Sequence, residues 1–391
     1  MSIMSFLLLL LPMPLFASPA LPIYGNISGL GLFYSTITVG TPPQAMLVSL
    51  DTGSADVLVA STSCAGCSEQ YRPFDQGSSG TYAPLSVKNA SMFNVTCGSD
   101  GGPMCTFAAS YTTCDLSNLT AWCNVSGVMG MDVLGIPSGG GGVGPAVRTH
   151  VGLIEAQSRN FQQFSVIDGI LGLSFPGKDG FSTGPTLLDS LHVERFALCM
   201  GNETGMWVLS PTAEERSALV QPGSQRMSVP LIPPFSWYSV YVAAVAVGGV
   251  RIPVEPKVIN DGTCIVDSGT TTLTMNGAVY DAIVAALPAN VPRGCGRVDP
   301  NYLASLPTIT VVFGGDAAID ISPFYYFYPK NPGAPEDEVE MCFGLTRGDD
   351  SGDCILGDVA FQPYLVDFDR EAKEVGFQPV NMEACVGHAA Q

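Results

Sequence analysis

The sequence predicts an all-β fold in two halves, with few short helices. Three observations carry that prediction. At 391 residues the chain is longer than one ordinary domain. It is rich in Gly (44) and Pro (30) and low in charge (13%), and its apolar residues fall in short alternating runs such as "WYSVYVAAVAVGGV". That is the pattern of short strands joined by turns. The third observation is an internal repeat. "VSLDTGSADVLV" at Val48 to Val59 is echoed by "IVDSGTTTLT" at Ile265 to Thr274, and "DGILGL" from Asp168 by "DCILGD" from Asp353. A period of about 200 residues is too long for a solenoid and suits two lobes. The best helical segment is "GAVYDAIVAAL", Gly277 to Leu287.

From the N-terminus, "MSIMSFLLLLLPMPLFASPA" places an apolar block at Phe6 to Leu11 before small residues at Ala17 and Ala20. Residues 1–20 read as a signal peptide, although no Lys or Arg precedes the block. No other run reaches the ~18 apolar residues of a membrane span, and the C-terminal "EACVGHAAQ" is neither a span nor a lipid-anchor signal. No transmembrane anchor is expected. Six Asn-x-Ser/Thr sites, at Asn26, Asn89, Asn94, Asn118, Asn124 and Asn202, fit passage through the secretory pathway. So does the even count of twelve cysteines, which suits disulfides in an oxidising compartment. The expected location is outside the cell or in an acidic endosomal, lysosomal or vacuolar compartment.

Charge and ligand types exclude other classes. Sixteen Lys plus Arg against 35 Asp plus Glu gives a net charge of −19, which disfavours nucleic acid as a partner. The single Cys-x-x-Cys, "CAGC", has only three scattered histidines (His150, His192, His388) to complete a zinc site, so no metal and no cofactor are expected. "IPSGGGGVGPAV" lacks the Lys-Ser/Thr of a phosphate loop and reads as a connector.

An isolated Asp-Ser-Gly is ordinary turn chemistry. Two copies, each followed downstream by Ile-Leu-Gly, are more than coincident turns. The quartets Asp51-Thr52-Gly53-Ser54 and Asp267-Ser268-Gly269-Thr270, the lead-in "FYSTITVGTPPQ" and the terminal "ILGDVAFQPYLVDFDREAKEVGF" make the chain resemble the pepsin-like aspartic proteases over nearly everything after residue 20. The resemblance implies a bilobal pepsin-like acid protease fold, with two pseudo-symmetric β-barrel-like lobes over 21–212 and 213–391 that meet near 209–225. It implies an aspartic endopeptidase in which Asp51 and Asp267 share one proton and activate a water at acidic pH. The substrate would be an extended polypeptide cut beside bulky apolar residues, and the enzyme a monomer. The alternative is a catalytically inactive secreted binding or inhibitor protein on the same fold.

The resemblance also assigns supporting roles. Thr52 and Ser268 would lock the two loops together, Ser54 and Thr270 would bond the outer carboxylate oxygens, and Gly53 and Gly269 would let the backbones approach. Tyr111, in "FAASYTTC", would be the substrate-binding tyrosine of a β-hairpin flap. Cys64–Cys67, Cys295–Cys342 and Cys199–Cys385 are implied as bridges. Cys264 with Cys354 follows from segments that are neighbours in the family fold, leaving Cys97–Cys105 and Cys114–Cys123 as local staples. Three departures stand out. Thr112-Thr113-Cys114 and an insertion through Asn124, with Trp122, follow the flap tyrosine in place of the usual Gly. Leu58 stands where members often carry a Trp that bonds that tyrosine, so altered flap positioning without loss of activity is expected. The basic prosegment of family zymogens is missing between the leader and "LPIYGNISGLGLFYSTITVG". Asp168, Asp353 and Asp358 read as turn or strand-end residues, and Asp56 as a hydrogen-bonding or surface residue.

Overall fold

The computed structural model describes residues 18–28, 31–67, 72–85, 96–97, 105–111, 123–138, 144–158, 166–177, 184–330, 339–349 and 352–387. Strands dominate, and the helices among these residues are short. The longest is Gly277–Ala286, started by Asn276, whose side chain accepts the N–H of Val279. It ends one residue short of the sequence reading, the usual scatter at a helix end. "WYSVYVAAVAVGGV" forms strands Ser239–Val240, Val242–Val247 and Val250–Arg251. Alternation is clearest in Leu32–Val39, where buried and half-buried residues alternate as one face turns to the core.

The feature that positions the site is a strand motif that occurs twice. In the first half, Gly169–Gly172 lies parallel to Gln44–Asp51, with Gly172 beside Asp51, and antiparallel to Val57–Ala65. In the second, Asp353–Leu356 lies parallel to Thr263–Val266 and antiparallel to Leu273–Met275. Each aspartate thus sits where a strand of its own loop meets an Ile-Leu-Gly strand from downstream. The close packing explains the glycines. A Cβ on Gly172 would lie 2.5 Å from the Asp56 nitrogen, and one on Gly357 would lie 2.3 Å from the Thr270 carbonyl oxygen.

The halves share structure. One sheet, 15-stranded among the described residues, runs from Met227–Pro230 through Glu374–Pro379 and Tyr364–Asp369 to Arg195–Met200, and on through the first-half strands. Phe196 and Phe368 are opposite each other across this junction, rings stacked at 4.7 Å. Tyr238 packs edge-on to Phe368 at 4.5 Å and donates its hydroxyl to the Leu173 carbonyl at 2.8 Å. A fully buried Tyr needs that acceptor, and here the bond ties the second half to the residue just after the first Ile-Leu-Gly. Four disulfides join described residues: Cys64–Cys67, Cys199–Cys385, Cys264–Cys354 and Cys295–Cys342. Cys105 and Cys123 are also disulfide-bonded. The expected pairings Cys97–Cys105 and Cys114–Cys123 involve side chains outside the described residues.

Candidate active site

Asp51 ends its strand and Asp267 follows Val266, and the two loops meet face to face. The contact is reciprocal. The Thr52 hydroxyl donates to the Val266 carbonyl at 2.9 Å and accepts the Ser268 N–H at 2.9 Å. The Ser268 hydroxyl donates to the Leu50 carbonyl at 2.8 Å and accepts the Thr52 N–H at 3.2 Å. All of this is buried, so each hydroxyl meets its needs only while the other loop is present.

Each carboxyl is held by its own loop in the same way. Asp51 Oδ1 accepts the Gly53 N–H at 2.9 Å and Oδ2 the Ser54 hydroxyl at 2.5 Å. Asp267 Oδ1 accepts the Gly269 N–H at 2.8 Å and Oδ2 the Thr270 hydroxyl at 2.7 Å. The outer oxygens are thereby fixed and the inner ones face each other. A Cβ on Gly269 would stand 2.4 Å from Asp51 Oδ1 and 3.2 Å from Asp267 Oδ1, and one on Gly53 would stand 2.7 Å from Asp267 Oδ1. Only a residue without a side chain leaves both carboxyls in place.

Asp51 and Asp267 are 8% and 7% exposed, so each carboxyl opens only slightly to solvent. Burial, and next the neighbouring Asp267 charge, push Asp51 up to about 7, against the pull of the Ser54 and Gly53 hydrogen bonds. The pair therefore holds a proton well above the ordinary carboxylate range and can offer an acid and a base at once.

Tyr111 closes strand Cys105–Tyr111, opposite Cys123, and packs on a buried cluster with Leu58, Phe107 and Ile170. Burial raises its phenol well above 10, as do Asp51 and then Asp56, while a hydrogen bond to Ser54 opposes them. The tyrosine thus has a polar partner on the Asp51 loop itself. Leu58 is fully buried, and a Cβ on Gly152 would sit 2.4 Å from its Cδ2, so the space beside it is filled. The flap tip, residues 112–122 with Thr112, Thr113, Cys114, Asn118 and Trp122, lies outside the described residues. So do Asn89 and Asn94, and part of the 136–147 connector.

The remaining acids divide. Asp168 is structural: its carboxylate accepts the N–H groups of Leu47 at 2.8 Å and Arg72 at 2.7 Å. Asp56 is buried, not on the surface, and faces buried His150 at 3.4 Å. Asp358 is the residue the sequence reading undervalued. It is fully buried, neither carboxyl oxygen has a hydrogen-bond partner among the described residues, and burial, then the Asp267 charge, raise it well above the carboxylate range. It is an acid beside the dyad whose ionisation burial and the Asp267 charge both oppose. No sequence signal separates it from a helix-start aspartate. The Asp353 side chain is outside the described set. Asn124 and Asn202 are exposed and Asn26 half-buried at a strand end. No cluster of His, Cys, Asp or Glu among the described residues is arranged to hold a metal, and no helix among them is long and apolar enough to cross a membrane.

Comparison with known proteins agrees with this geometry. Residues 33–209 match the family described as "Xylanase inhibitor N-terminal" and residues 237–379 the one described as "Xylanase inhibitor C-terminal". A probable aspartic protease of Arabidopsis thaliana is 26% identical, aligned over 92% of this chain and 83% of its own. Pepsin A of Gallus gallus is 26% identical over 89% of this chain and 84% of its own. Chymosin of Callithrix jacchus is 27% identical over 88% of this chain and 80% of its own.

Proposed function

The chain belongs to the pepsin-like aspartic protease family, and we propose that it is an active aspartic endopeptidase working at acidic pH. The observation that carries this is the pair of intact carboxyls, buried together and hydrogen-bonded alike. The ionised member takes a proton from a water held between them, and that water attacks the peptide carbonyl. The protonated member donates to the carbonyl oxygen as charge grows there. Collapse of the diol passes a proton to the leaving amine, and the dyad is restored with no covalent intermediate. Above about 7 the shared proton is lost, the acid is missing, and activity falls. The substrate is an extended polypeptide bound between lobes spanning 21–212 and 213–391, with bulky apolar residues at the scissile bond. We place the enzyme in the secretory pathway, acting as a monomer.

A second reading, a catalytically silent inhibitor of a xylanase, is favoured by the descriptions of the two matched families. Against it stand both complete quartets. The separating experiment is digestion of denatured haemoglobin or casein at pH 3–5 by the purified protein, with and without pepstatin and with Asp51→Asn as control. Pepstatin-sensitive cleavage absent from the variant is expected. A clean protein inert across that range that slows a xylanase moves the assignment to the inhibitor.

A further inference from the structure

Strands Arg195–Met200 and Thr204–Leu209 form a hairpin closed by the Gly201 N–H, which donates to the Thr204 carbonyl at 2.8 Å. Its tip, Asn202-Glu203-Thr204, is one of the six Asn-x-Ser/Thr sites. The tip is held in place from behind. The Cys199–Cys385 bridge ties the hairpin to helix Met382–Gly387, and a Cβ on Gly201 would stand 2.7 Å from Val386 Cγ1 of that helix. Asn202 itself is exposed, and its carboxamide makes no hydrogen bond among the described residues. A substituent on its Nδ2 therefore displaces no bond. Asn124 differs, since its Oδ1 accepts the Ser110 hydroxyl at 2.6 Å.

Asn202 also stands on the wall of a cavity of about 1150 Å³, to which neither the Asp51 nor the Asp267 loop contributes a described residue. Met200, Met341, Met382 and Val380 give it an apolar floor. Phe324, on the same wall, is 59% exposed, the most exposed aromatic side chain among the described residues, and it packs on no other ring there. Gln362 is the reverse case. It lines the cavity at only 6% exposure, and its carboxamide has no hydrogen-bond partner among the described residues. An amide kept from water without a partner costs free energy. The cavity thus suits an occupant with an apolar face for Phe324 and with donors and acceptors for Gln362. A hydrocarbon would leave Gln362 unpaired. An N-acetylhexosamine has both features: a face of C–H groups, and a rim of hydroxyls with one acetamide.

We propose that Asn202 is N-glycosylated and that the N-acetylhexosamine core of its own glycan folds back into this cavity, stacking on Phe324 and bonding Gln362. The donor is a lipid-diphosphate-linked oligosaccharide. A bond forms between sugar C1 and Asn202 Nδ2, and the C1–O bond to the diphosphate breaks. The diphosphate leaves with the electron pair, and one amide proton is released; nothing is oxidised or reduced. The occupant is set by the tether. A sugar attached at the cavity wall has an effective concentration of the order of millimolar, so a weak stack is enough to hold it. The glycan then covers an apolar surface that would otherwise face water. The inference rests on the secretory placement proposed above and not on proteolytic activity.

The test is secretion of the full chain from a eukaryotic host, peptide mapping by mass spectrometry, and enzymatic deglycosylation of the native protein. Asn202 should carry a glycan that an amidase specific for the Asn–sugar bond releases more slowly from the native than from the denatured chain. Phe324→Ala removes only an exposed ring, and it should speed native release about 2- to 10-fold, the range that one aromatic stack supports. In the NMR spectrum the N-acetyl methyl signal of the Asn202 core should lie upfield, under the Phe324 ring current, and return to its free position in Phe324→Ala. An unmodified Asn202 beside a modified Asn124 overturns the proposal alone. A wholly unmodified chain overturns it together with the secretory placement. A glycan on Asn202 with an unshifted methyl signal, released equally fast with and without Phe324, points into solvent and overturns it as well.

Discussion

The two aspartate loops share a backbone design but not an environment. On both sides a Gly N–H holds the inner oxygen of the aspartate and a hydroxyl three residues on holds the outer one. Around them the halves diverge. On the first side Ser54 also serves Tyr111, and the strand motif is pinned by the Asp168 carboxylate. On the second side Thr270 serves Asp267, the motif is closed by the Cys264–Cys354 bridge, and the position matching Leu173 is the buried Asp358. Symmetric scaffolding brings two like groups together in surroundings that differ.

The largest effect should come from breaking the symmetry at the dyad. Asp51→Asn and Asp267→Asn should each lower kcat/KM on a quenched-fluorescence peptide by at least about 10³-fold. If one variant retains a tenth of the activity, only one half carries the chemistry. Next is the bridge present on one side alone. Cys264→Ser with Cys354→Ser should cost about 2–4 kcal/mol in chemical denaturation, and an unchanged midpoint would mean that this strand pairing, like that of the first half, holds without it.

Smaller changes sharpen the contrast. Ser54→Ala removes a bond that lowers Asp51 and also the partner of Tyr111. It should move the alkaline limb of the kcat/KM profile upward and cut activity about tenfold, with a larger KM change than Thr270→Ala. Equal effects would show that the flap tyrosine gains nothing from Ser54. The smallest effect belongs to Asp358→Asn. A neutral carboxyl replaced by a neutral amide should shift the limb by less than about 0.3 unit. A fall of a full unit would mean that Asp358 carries charge and helps raise the dyad.

Much of this was readable in the chain because it is local and duplicated. The Asp-x-Gly quartets, the Ile-Leu-Gly strands and the 277–286 helix follow from short patterns with a known geometric cause. Single-copy features that depend on distant segments meeting were not. Nothing near Asp358 in sequence announces its burial, nothing at Asp56 points to His150, and Ser54 serving Tyr111 requires a hairpin to fold back over the loop. The sheet shared between the halves is hidden for the same reason, since Phe196 and Phe368 pair across most of the second half. Leu58 shows a subtler limit. Its identity signals a missing donor, but only packing reveals that the tyrosine's partner is Ser54 and that Gly152 leaves Leu58 its space.

The central claim is that burial and a like-charged neighbour hold one proton on the pair, and carboxyl ¹³C titration of the Asp-labelled protein tests it most directly. The account predicts that the Asp51 resonance titrates near 7 and moves downward when Asp267 is replaced by Asn, remaining above the ordinary range because burial is the larger cause. Two independent carboxyls, both ionising near the value of a free aspartate and indifferent to each other's replacement, would contradict it.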